Sequence, residues 1–270
     1  PCPLVITLHD MSLFVHARLH PLKSQLFVRP IIPLLVHRAA AIITVSQHAK
    51  REIVAGLHLP PEKVHVIYEA AAPQYRVLDD NAELDRVRQR YKLTRPFVLY
   101  VGTIEPRKNL TRLVNAFARV RRKCPELELV LVGQLGWKYA ALFRAIEDLK
   151  LGQAVRLLGY VPNEDLPALY NLARALAFPS LYEGFGLPVV EAMSCGTPVL
   201  ARDGGALPEV VADGGTGRIT PAGDVSALAD AMAVMLADAD ECRAMGEAGR
   251  RRVLERFTWA TTARETAALY

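Results

Sequence analysis

The chain has 270 residues, of which 51% are hydrophobic and 23% are charged, with both signs mixed along the sequence. This composition excludes an intrinsically disordered protein. The net charge of +5 suits anionic partners such as phosphates, nucleotides or lipid headgroups without selecting one of them. No basic run interleaved with aromatic residues supports a nucleic-acid partner, and only 7% of the residues are aromatic.

The cysteines and the apolar segments indicate a cellular compartment. Four cysteines are scattered without a CxxC pair, so we expect reduced thiols in a cytosolic protein and neither a zinc site nor a disulfide framework. The most apolar region, residues 31–45, is interrupted by His37 and Arg38 and is too short for a transmembrane helix. No signal peptide is evident. We expect a cytoplasmic protein and leave peripheral contact with the inner face of a membrane open.

Short apolar runs alternate with helical patterns along the chain, which is typical of parallel βαβ units. Most runs are apolar throughout, as expected of strands that helices cover on both faces. The predicted strands are residues 4–8, 41–45, 64–68, 97–101, 128–132, 155–158, 175–178 and 198–201. The clearest helical patterns are residues 84–91, 109–123, 138–149, 164–173 and 189–194. The predicted fold class is therefore α/β with doubly wound parallel sheets.

A domain boundary is predicted near residues 72–92, where Ala72-Pro73 follows a strand and Asp79-Asp80-Asn81 precedes a charged helix. Residues 97–237 supply the elements of a complete doubly wound domain. The residues before the boundary supply only about three strands, fewer than a sheet usually has. Because the chain opens on Pro1-Cys2-Pro3 and runs straight into an apolar strand, we interpret its start as a cut through a first domain.

The strongest motif is the run Glu183-Gly184-Phe185-Gly186-Leu187-Pro188-Val189-Val190-Glu191, between a predicted strand and a predicted helix. Its glycines let the backbone approach a ligand closely, and Pro188 is well placed to open the helix. A helix N-terminus at the carboxyl end of a parallel strand offers N–H groups and partial positive charge to a phosphate. We expect Glu191 in the first helical turn, within reach of sugar hydroxyls, and Glu183 on the loop facing a cleft. Glycine-rich turns are also common in structural roles, and a glutamate near a helix start can serve only the helix dipole.

A second motif spans residues 101–110, where a buried strand again ends in a glycine, Gly102. Arg107 and Lys108 stand just before a helix that Asn109 is expected to cap. Arginine can bind phosphate in a forked geometry, and lysine adds a mobile point charge. A charge pair on a loop is usually only solvated, but its place beside a second anion-suited loop favours an anion site. We expect both cations to be exposed, so that replacing either slows a reaction more than it weakens folding.

Together these segments resemble the GT-B-fold glycosyltransferases of family 4, the group 1 glycosyltransferases. These are retaining enzymes that include bacterial mannosyltransferases, glucosyltransferases and sucrose-synthase-like proteins. Their E-x7-E element is matched by Glu183 and Glu191. Further matches are the runs Leu158-Gly159-Tyr160-Val161-Pro162, Gly196-Thr197-Pro198-Val199, Gly205-Ala206-Leu207-Pro208-Glu209 and Phe257-Thr258-Trp259. The resemblance covers essentially the whole chain.

The resemblance implies two Rossmann-like domains, of which the first is incomplete. Residues 1–75 would be the C-terminal part of the first, acceptor-side domain, and residues 76–253 the nucleotide-sugar-binding domain. Residues 254–270 would form a C-terminal helix that returns toward the first domain. The family's glycine-rich loop, which closes over diphosphate and acceptor, is missing from this sequence. A donor-binding but non-transferring fragment therefore stays an alternative, as does a phosphorylase or epimerase of the same fold.

The resemblance also implies roles for individual residues. Arg107 and Lys108 would neutralise the donor diphosphate and the leaving nucleotide, and Glu183 would lie near the anomeric carbon of the transferred sugar. His9 would reach the donor sugar across the cleft and complete the implied catalytic set. The implied donor-binding residues are Gly102, Val161 through its backbone against the base, Phe185, Gly186 and Leu187 through backbone amides, and Glu191 at the ribose hydroxyls.

The resemblance implies no metal and no other cofactor, because cations and helix N-termini carry the charge of the diphosphate. We expect retaining transfer of a hexose to a glycan or lipid-linked acceptor, with GDP-mannose favoured as the donor and a UDP-sugar left open. Retention is expected through front-face departure of the nucleotide. A double displacement with Glu183 as nucleophile is the weaker hypothesis. No nucleic-acid partner is expected.

Three further patterns are set aside. His16 and His20 have an HxxxH spacing but lack a third metal ligand. Asp238-Ala239-Asp240 matches the DxD pattern of metal-dependent transferases, but it lies in an alanine-rich helical tail and is interpreted as a solvated face. The arginines near the end of the chain are also interpreted as solvated, with contact to an anionic membrane as the alternative. These arginines are Arg250, Arg251, Arg252 and Arg256.

Overall fold

The computed structural model describes residues 2–20 and 22–270. The strands are β1 (Val5–Thr7), β2 (Ala41–Thr44), β3 (Val64–Val66), β4 (Phe97–Val101), β5 (Glu128–Val132), β6 (Val155–Gly159), β7 (Ala175–Phe178), β8 (Val199–Arg202) and β9 (Gly217–Thr220). The helices are α1 (Ser12–Val15), α2 (Ile31–Arg38), α3 (Gln47–Leu57), α4 (Asn81–Arg90), α5 (Leu110–Arg121), α6 (Ala140–Asp148), α7 (Leu166–Leu172), α8 (Leu187–Ser194), α9 (Leu207–Val210), α10 (Val225–Ala237), α11 (Ala239–Arg256) and α12 (Trp259–Leu269). Pro1, on which the interpretation of the chain's start partly rests, and Pro21 lie outside the described residues.

The strands form two parallel sheets. The first has the order β1-β2-β3, and the second has the order β6-β5-β4-β7-β8-β9. Each sheet has its own core of buried apolar side chains. We call the part around the first sheet lobe 1 (residues 2–20 and 22–70) and the part around the second sheet lobe 2 (residues 76–257). Residues 71–80 carry no helix or strand, and the domain division predicted within them stays a prediction.

The strand order of lobe 2 reverses at β4. The chain builds outward from β4 through β5 to β6, and it then crosses back to start β7 on the other side of β4. Val98 of β4 pairs directly with Ala175 of β7. In an open parallel sheet, ligands bind beyond the carboxyl ends of the strands at such a switch point. The two loops that leave this switch point are the two motifs found in the sequence.

The predicted α/β fold with parallel sheets is confirmed, and most of its elements lie near their predicted positions. The predicted strands 97–101, 128–132 and 175–178 match the observed bounds of β4, β5 and β7. The strand β9 is not among the predicted strands. It begins with Gly217, and only its two end residues are buried, so it lacks the continuous apolar run that reveals its neighbours.

The last helix lies against lobe 1. The hydroxyl of Thr262 on α12 donates a 2.7 Å hydrogen bond to the carbonyl oxygen of Tyr68, just after β3. The same helix and β3 line a shallow cavity between His65 and Leu269. Among the helices of the described residues, none combines the length and the apolar character needed to cross a membrane.

Candidate active site

Lys108 and Glu183 form a buried ion pair at the switch point between β4 and β7. Nζ of Lys108 lies 2.5 Å from Oε1 of Glu183, and the two residues are only 8% and 7% exposed. The ammonium group also lies 5.1 Å from the centre of the Phe178 ring, at the end of β7. The two motif loops therefore meet through a cation and a carboxylate that are largely shielded from water.

Arg107 binds the other oxygen of the same carboxylate. Its Nη1 lies 3.3 Å from Oε2 of Glu183, and its Nη2 lies 3.0 Å from Oε1 of Glu105. Burial by itself would lower the pKa of Arg107, but Glu183 and Glu105 beside it raise this pKa above its ordinary value. We call these four residues (Glu105, Arg107, Lys108 and Glu183) the ion cluster. Its two positive and two negative charges balance.

This geometry corrects the expectation that both cations are exposed. Loops that follow adjacent parallel strands converge, and here the amide of Leu181 donates a 2.8 Å hydrogen bond to the carbonyl oxygen of Arg107. The side chains of Arg107 and Lys108 therefore turn inward to Glu183. Removing one member of a buried ion pair destabilises a fold by about 3–5 kcal/mol. Substitution of Lys108 should therefore weaken folding as well as chemistry.

Asn109 stands at the predicted N-cap position, but its side chain does not cap the helix. Asn109 precedes α5 with a left-handed φ of 59°, and its side chain makes no cap hydrogen bond. Its side-chain amide instead donates a 3.2 Å hydrogen bond to the carbonyl oxygen of Pro179, just after β7. Asn109 thus joins the two loops of the site to each other, which a local sequence pattern cannot indicate.

Two glycines shape the loop that leads into α8. A Cβ atom at Gly184 would lie 2.9 Å from the Cβ of Asp10 and 2.9 Å from the carbonyl oxygen of His9, so a side chain here would push lobe 1 away. Gly186 precedes the helix with a left-handed φ of 103°, which favours glycine. The helix begins at Leu187, so Pro188 is its second residue and not the first as expected.

Glu191 lies in the second turn of α8, and its expected place in the first turn is wrong. Its Oε2 accepts a 2.8 Å hydrogen bond from the hydroxyl of Tyr170, and the hydroxyl of Tyr75 lies near the same carboxylate. Burial raises the pKa of Glu191, and the two hydroxyl groups oppose this rise. Sequence reasoning missed both tyrosines, because Tyr170 lies 21 positions and Tyr75 lies 116 positions before Glu191 and no motif contains them.

His9 follows β1 and carries a carboxylate partner that the sequence did not reveal. Its Nδ1 lies 3.2 Å from Oε1 of Glu69, and 61% of the His9 side chain is exposed. The hydrogen bond to Glu69 raises the pKa of His9, while burial opposes the rise. The backbone contact of His9 with Gly184 places this histidine at the edge of the lobe 2 loop. Its implied contact with a donor sugar stays a prediction.

The other implied donor-binding residues lie after strands or at the start of α8. Gly102 follows β4 with a positive φ of 146°. Val161 is buried just after β6, two strands away from β4. The side chain of Phe185 is buried with its ring 5.5 Å from that of Phe257, so only its backbone is left for a ligand. Leu187 is 36% exposed. The roles of all four stay predictions.

Two patterns set aside in the sequence have structural functions. Arg252 is not solvated, since its guanidinium donates hydrogen bonds of 2.9 and 2.7 Å to the carbonyl oxygens of Glu209 and Val210. The carboxylate of Asp238 accepts two 2.9 Å hydrogen bonds from amides in the first turn of α11, so it caps a helix and is not simply a solvated face. In the part of the chain that the structure describes, no group of three His, Cys, Asp or Glu side chains could hold a metal ion.

Comparison with known proteins identifies relatives of this chain. The family model described as glycosyl transferases group 1 matches residues 81–252, and the model described as glycosyltransferase family 4 matches residues 1–74. O-antigen chain mannosyltransferase B of Escherichia coli is 35% identical over 98% of this chain and 69% of its own length. The GDP-mannose-dependent alpha-(1-6)-phosphatidylinositol monomannoside mannosyltransferase of Mycolicibacterium smegmatis is 37% identical over 68% of this chain.

The solved structures agree with the sequence relatives. The crystal structure of Anabaena HepE in complex with UDP and glucose matches with a TM-score of 0.84 and 26% identity, over 99% of this chain and 71% of that chain. The chain spans 50% of the length of the Mycolicibacterium relative. The chain therefore belongs to the group 1 glycosyl transferases of the GT-B fold, and both sequence relatives described here are named as mannosyltransferases.

Proposed function

We propose that this chain transfers a hexose from a nucleoside-diphosphate sugar to a glycan or lipid-linked acceptor, with retention at the anomeric carbon. The observation that carries the proposal is the ion cluster at the switch point of lobe 2. Two cations stand there at the carboxyl end of β4, beside the loop that leads into the N-terminus of α8. Groups of this kind stabilise the charge that develops on a leaving diphosphate. The reaction then needs no metal ion.

The balanced charge of the ion cluster implies an exchange of partners when the donor binds. Lys108 and Arg107 are both bound to Glu183 in the structure. A diphosphate carries more negative charge than one carboxylate, and it competes with Glu183 for the same cations. Glu183 thus keeps the buried Lys108 and the partly buried Arg107 paired until the donor arrives.

Glu191 supplies the complementary contact for the neutral part of the donor. Its carboxylate already accepts a hydrogen bond from the hydroxyl of Tyr170, and the hydroxyl of Tyr75 lies nearby. An ionised carboxylate has about four lone-pair sites, so it can accept further hydroxyl donors. Ribose hydroxyls are the donors that the proposal assigns to it.

Mannose is the favoured sugar, and GDP-mannose the favoured donor. Both sequence relatives described above are named as mannosyltransferases, and one of them as GDP-mannose-dependent. The HepE structure holds UDP and glucose, so a UDP-sugar is the second donor to be tested.

Retention is proposed through front-face departure of the nucleotide. The bond from the anomeric carbon to the phosphate oxygen breaks, the acceptor oxygen bonds to the same face, and its proton passes to the departing phosphate. A double displacement, in which Glu183 itself would bond to the anomeric carbon, is the weaker alternative. Glu183 is instead proposed to stabilise positive charge on the sugar.

Proton NMR of the first sugar released tests the proposal. The chain is incubated with GDP-α-mannose or UDP-α-glucose in EDTA, with water as the acceptor. We expect one donor to be consumed, with the α-anomer appearing first. Lys108→Met should lower this activity about 10²–10³-fold, while Lys63→Met, at a partly exposed lysine of lobe 1, should not.

Other outcomes would contradict the separate parts of the proposal. First release of the β-anomer would contradict retention, and activity only with added divalent metal would contradict metal independence. Nucleotide binding without any consumption of either donor would favour the non-transferring alternative.

A further inference from the structure

Tyr182, the residue before Glu183, crosses from lobe 2 into lobe 1. Its hydroxyl accepts a 3.1 Å hydrogen bond from the amide of Met11 and donates to the carboxylate of Glu52 on α3. The residue is only 3% exposed. Both hydrogen-bonding functions of the buried hydroxyl are thus satisfied by lobe 1.

Aromatic contacts hold the same ring. The rings of His16 and His48, both in lobe 1, stand edge-on to Tyr182 with centroids 5.2 and 5.8 Å away. Nε2 of His48 also lies 3.3 Å from Oε1 of Glu52, so this histidine is next to the acceptor of the Tyr182 hydroxyl. A tyrosine from the catalytic loop therefore fills a polar socket in lobe 1, formed by Met11, His16, His48 and Glu52.

The main chain of Tyr182 holds the ion cluster. Its carbonyl oxygen accepts a 2.8 Å hydrogen bond from Nη1 of Arg107, and its chain neighbour is Glu183. Two residues on, Gly184 lies against the backbone of His9 and the side chain of Asp10. One residue thus connects the lobe 1 socket to the cation that the proposed function assigns to the diphosphate.

A second contact of lobe 2 holds the same end of α3. The carboxylate of Glu209 accepts hydrogen bonds from the amides of Gln47 and His48, at 2.9 and 2.6 Å. These amides are at the helix N-terminus, where a carboxylate is favoured. Glu209 and Tyr182 therefore both form hydrogen bonds with the first two turns of α3, which gives the two lobes a defined arrangement.

We propose that Tyr182 is a positioning residue. Its socket in lobe 1 sets the arrangement of the two lobes, and in that arrangement His9 and the ion cluster face the same donor. The inference rests on the proposed function, since it concerns the same site. Tyr182 contacts neither reacting atom. It acts by holding lobe 1 against the loop from Tyr182 to Gly184 and by fixing Arg107 through its carbonyl oxygen.

Three variants separate the hydroxyl contact from the rest of the residue. Tyr182→Phe keeps the ring and the carbonyl but loses both hydroxyl bonds. Glu52→Leu removes the acceptor, and Glu52→Gln keeps an oxygen that can accept from the hydroxyl. Tyr91→Phe is the matched control, because the Tyr91 hydroxyl also donates to a buried carboxylate, Asp165, but within lobe 2.

Trp137 reports directly on the contact between the lobes. Its indole N–H in lobe 2 donates a 2.7 Å hydrogen bond to the carbonyl oxygen of Leu19 in lobe 1. The chain has two tryptophans, so Trp259→Phe leaves Trp137 as the single fluorophore. Emission is measured in this background, together with donor hydrolysis, nucleotide affinity and the melting temperature.

We expect Tyr182→Phe to shift Trp137 emission to the red and to lower kcat for donor hydrolysis about tenfold, since a hydrogen bond to a charged group is lost. The dissociation constant for the nucleotide should change by less than about threefold, because its proposed contacts are all in lobe 2. Glu52→Leu should have the same effect, the double variant should be no worse than either single variant, and Glu52→Gln should recover most of the rate.

The inference is overturned if Tyr182→Phe lowers the melting temperature as Tyr91→Phe does but leaves emission and kcat unchanged. That result would make Tyr182 merely structural. If the wild-type chain binds no nucleotide and consumes no donor, the proposed function fails instead. The Trp137 emission then decides the docking role of Tyr182 by itself, with an unshifted spectrum overturning it.

Discussion

Glu183 and Glu191 stand eight positions apart in one motif, yet the protein holds their carboxylates in opposite ways. Glu183 is bound by two cations, Lys108 and Arg107. Glu191 is bound by the neutral hydroxyl of Tyr170 and lies near that of Tyr75, and burial raises its pKa. The charge of the first carboxylate is neutralised by cations, whereas the second carboxylate is stabilised only by the dipoles of hydroxyl groups.

The difference shows how one short motif can serve two parts of a ligand. A charged ligand group such as a diphosphate can displace Glu183 from its cations, because it offers the same interaction with more charge. A hydroxyl group cannot do so, but it can join the hydroxyls around Glu191. The proposed donor has both kinds of group, and each glutamate suits one of them.

The largest effect is expected when the charged site loses a cation. Lys108→Met should lower the transfer rate by about 10²–10³-fold, the cost of removing one group that stabilises developing negative charge. It should also lower the free energy of unfolding by about 3–5 kcal/mol, because Glu183 loses a buried partner. Donor consumption and urea unfolding measure the two effects. A fully active Lys108→Met would show that the ion cluster is not the site of chemistry.

Removing the competing carboxylate should have the opposite effect on binding. In Glu183→Gln the cations lose a rival for the diphosphate, so we expect nucleoside diphosphate to bind about tenfold more tightly. Turnover should fall at the same time. Calorimetry measures the affinity and donor hydrolysis measures the turnover, both on the same preparation. Weaker binding in Glu183→Gln would mean that the diphosphate does not use these cations.

The neutral site should respond to pH. Ribose hydroxyls bind best to an ionised Glu191, so nucleotide affinity should fall, by up to about tenfold per pH unit, as the pH drops below the raised pKa. The folded state with a raised pKa binds the proton more tightly than the unfolded state does. The raised pKa of Glu191 therefore stabilises the fold at low pH, and this stabilisation is lost as the pH rises through that pKa.

Glu191→Gln is the control for this pH dependence. The variant cannot ionise at this position, so both trends should be absent from its affinity and unfolding profiles. Identical pH profiles for the variant and the wild type would show that another group titrates.

The smallest effect is expected at a hydroxyl partner of Glu191. Tyr75→Phe removes a hydroxyl that stabilises the carboxylate and leaves the hydrogen bond from Tyr170, so the free energy of unfolding should fall by about 1 kcal/mol. Tyr139→Phe, at a residue that is 40% exposed, is the comparison and should change nothing. Equal effects of the two variants would show that Tyr75 does not support the carboxylate.

The sequence predicts the charged site better than the neutral one. Arg107, Lys108 and Glu183 follow buried apolar strands, and the rule that ligands bind at strand carboxyl ends brings these loops together. The burial of Lys108 could not be predicted, because it depends on β7 returning to the side of β4. Tyr75, Tyr170 and the partner of His9 come from distant segments, and no local pattern links them to the site.

A nucleotide-sugar site at Glu191 and the ion cluster is tested by calorimetric titration of the wild-type chain with GDP, UDP and ADP, beside Glu191→Ala and the surface variant Glu241→Ala. We expect micromolar binding of one nucleotide, at least tenfold weaker in Glu191→Ala and unchanged in Glu241→Ala. Binding that is equal in all three proteins, or no binding to the folded wild type, would contradict a nucleotide-sugar site at Glu191 and the ion cluster.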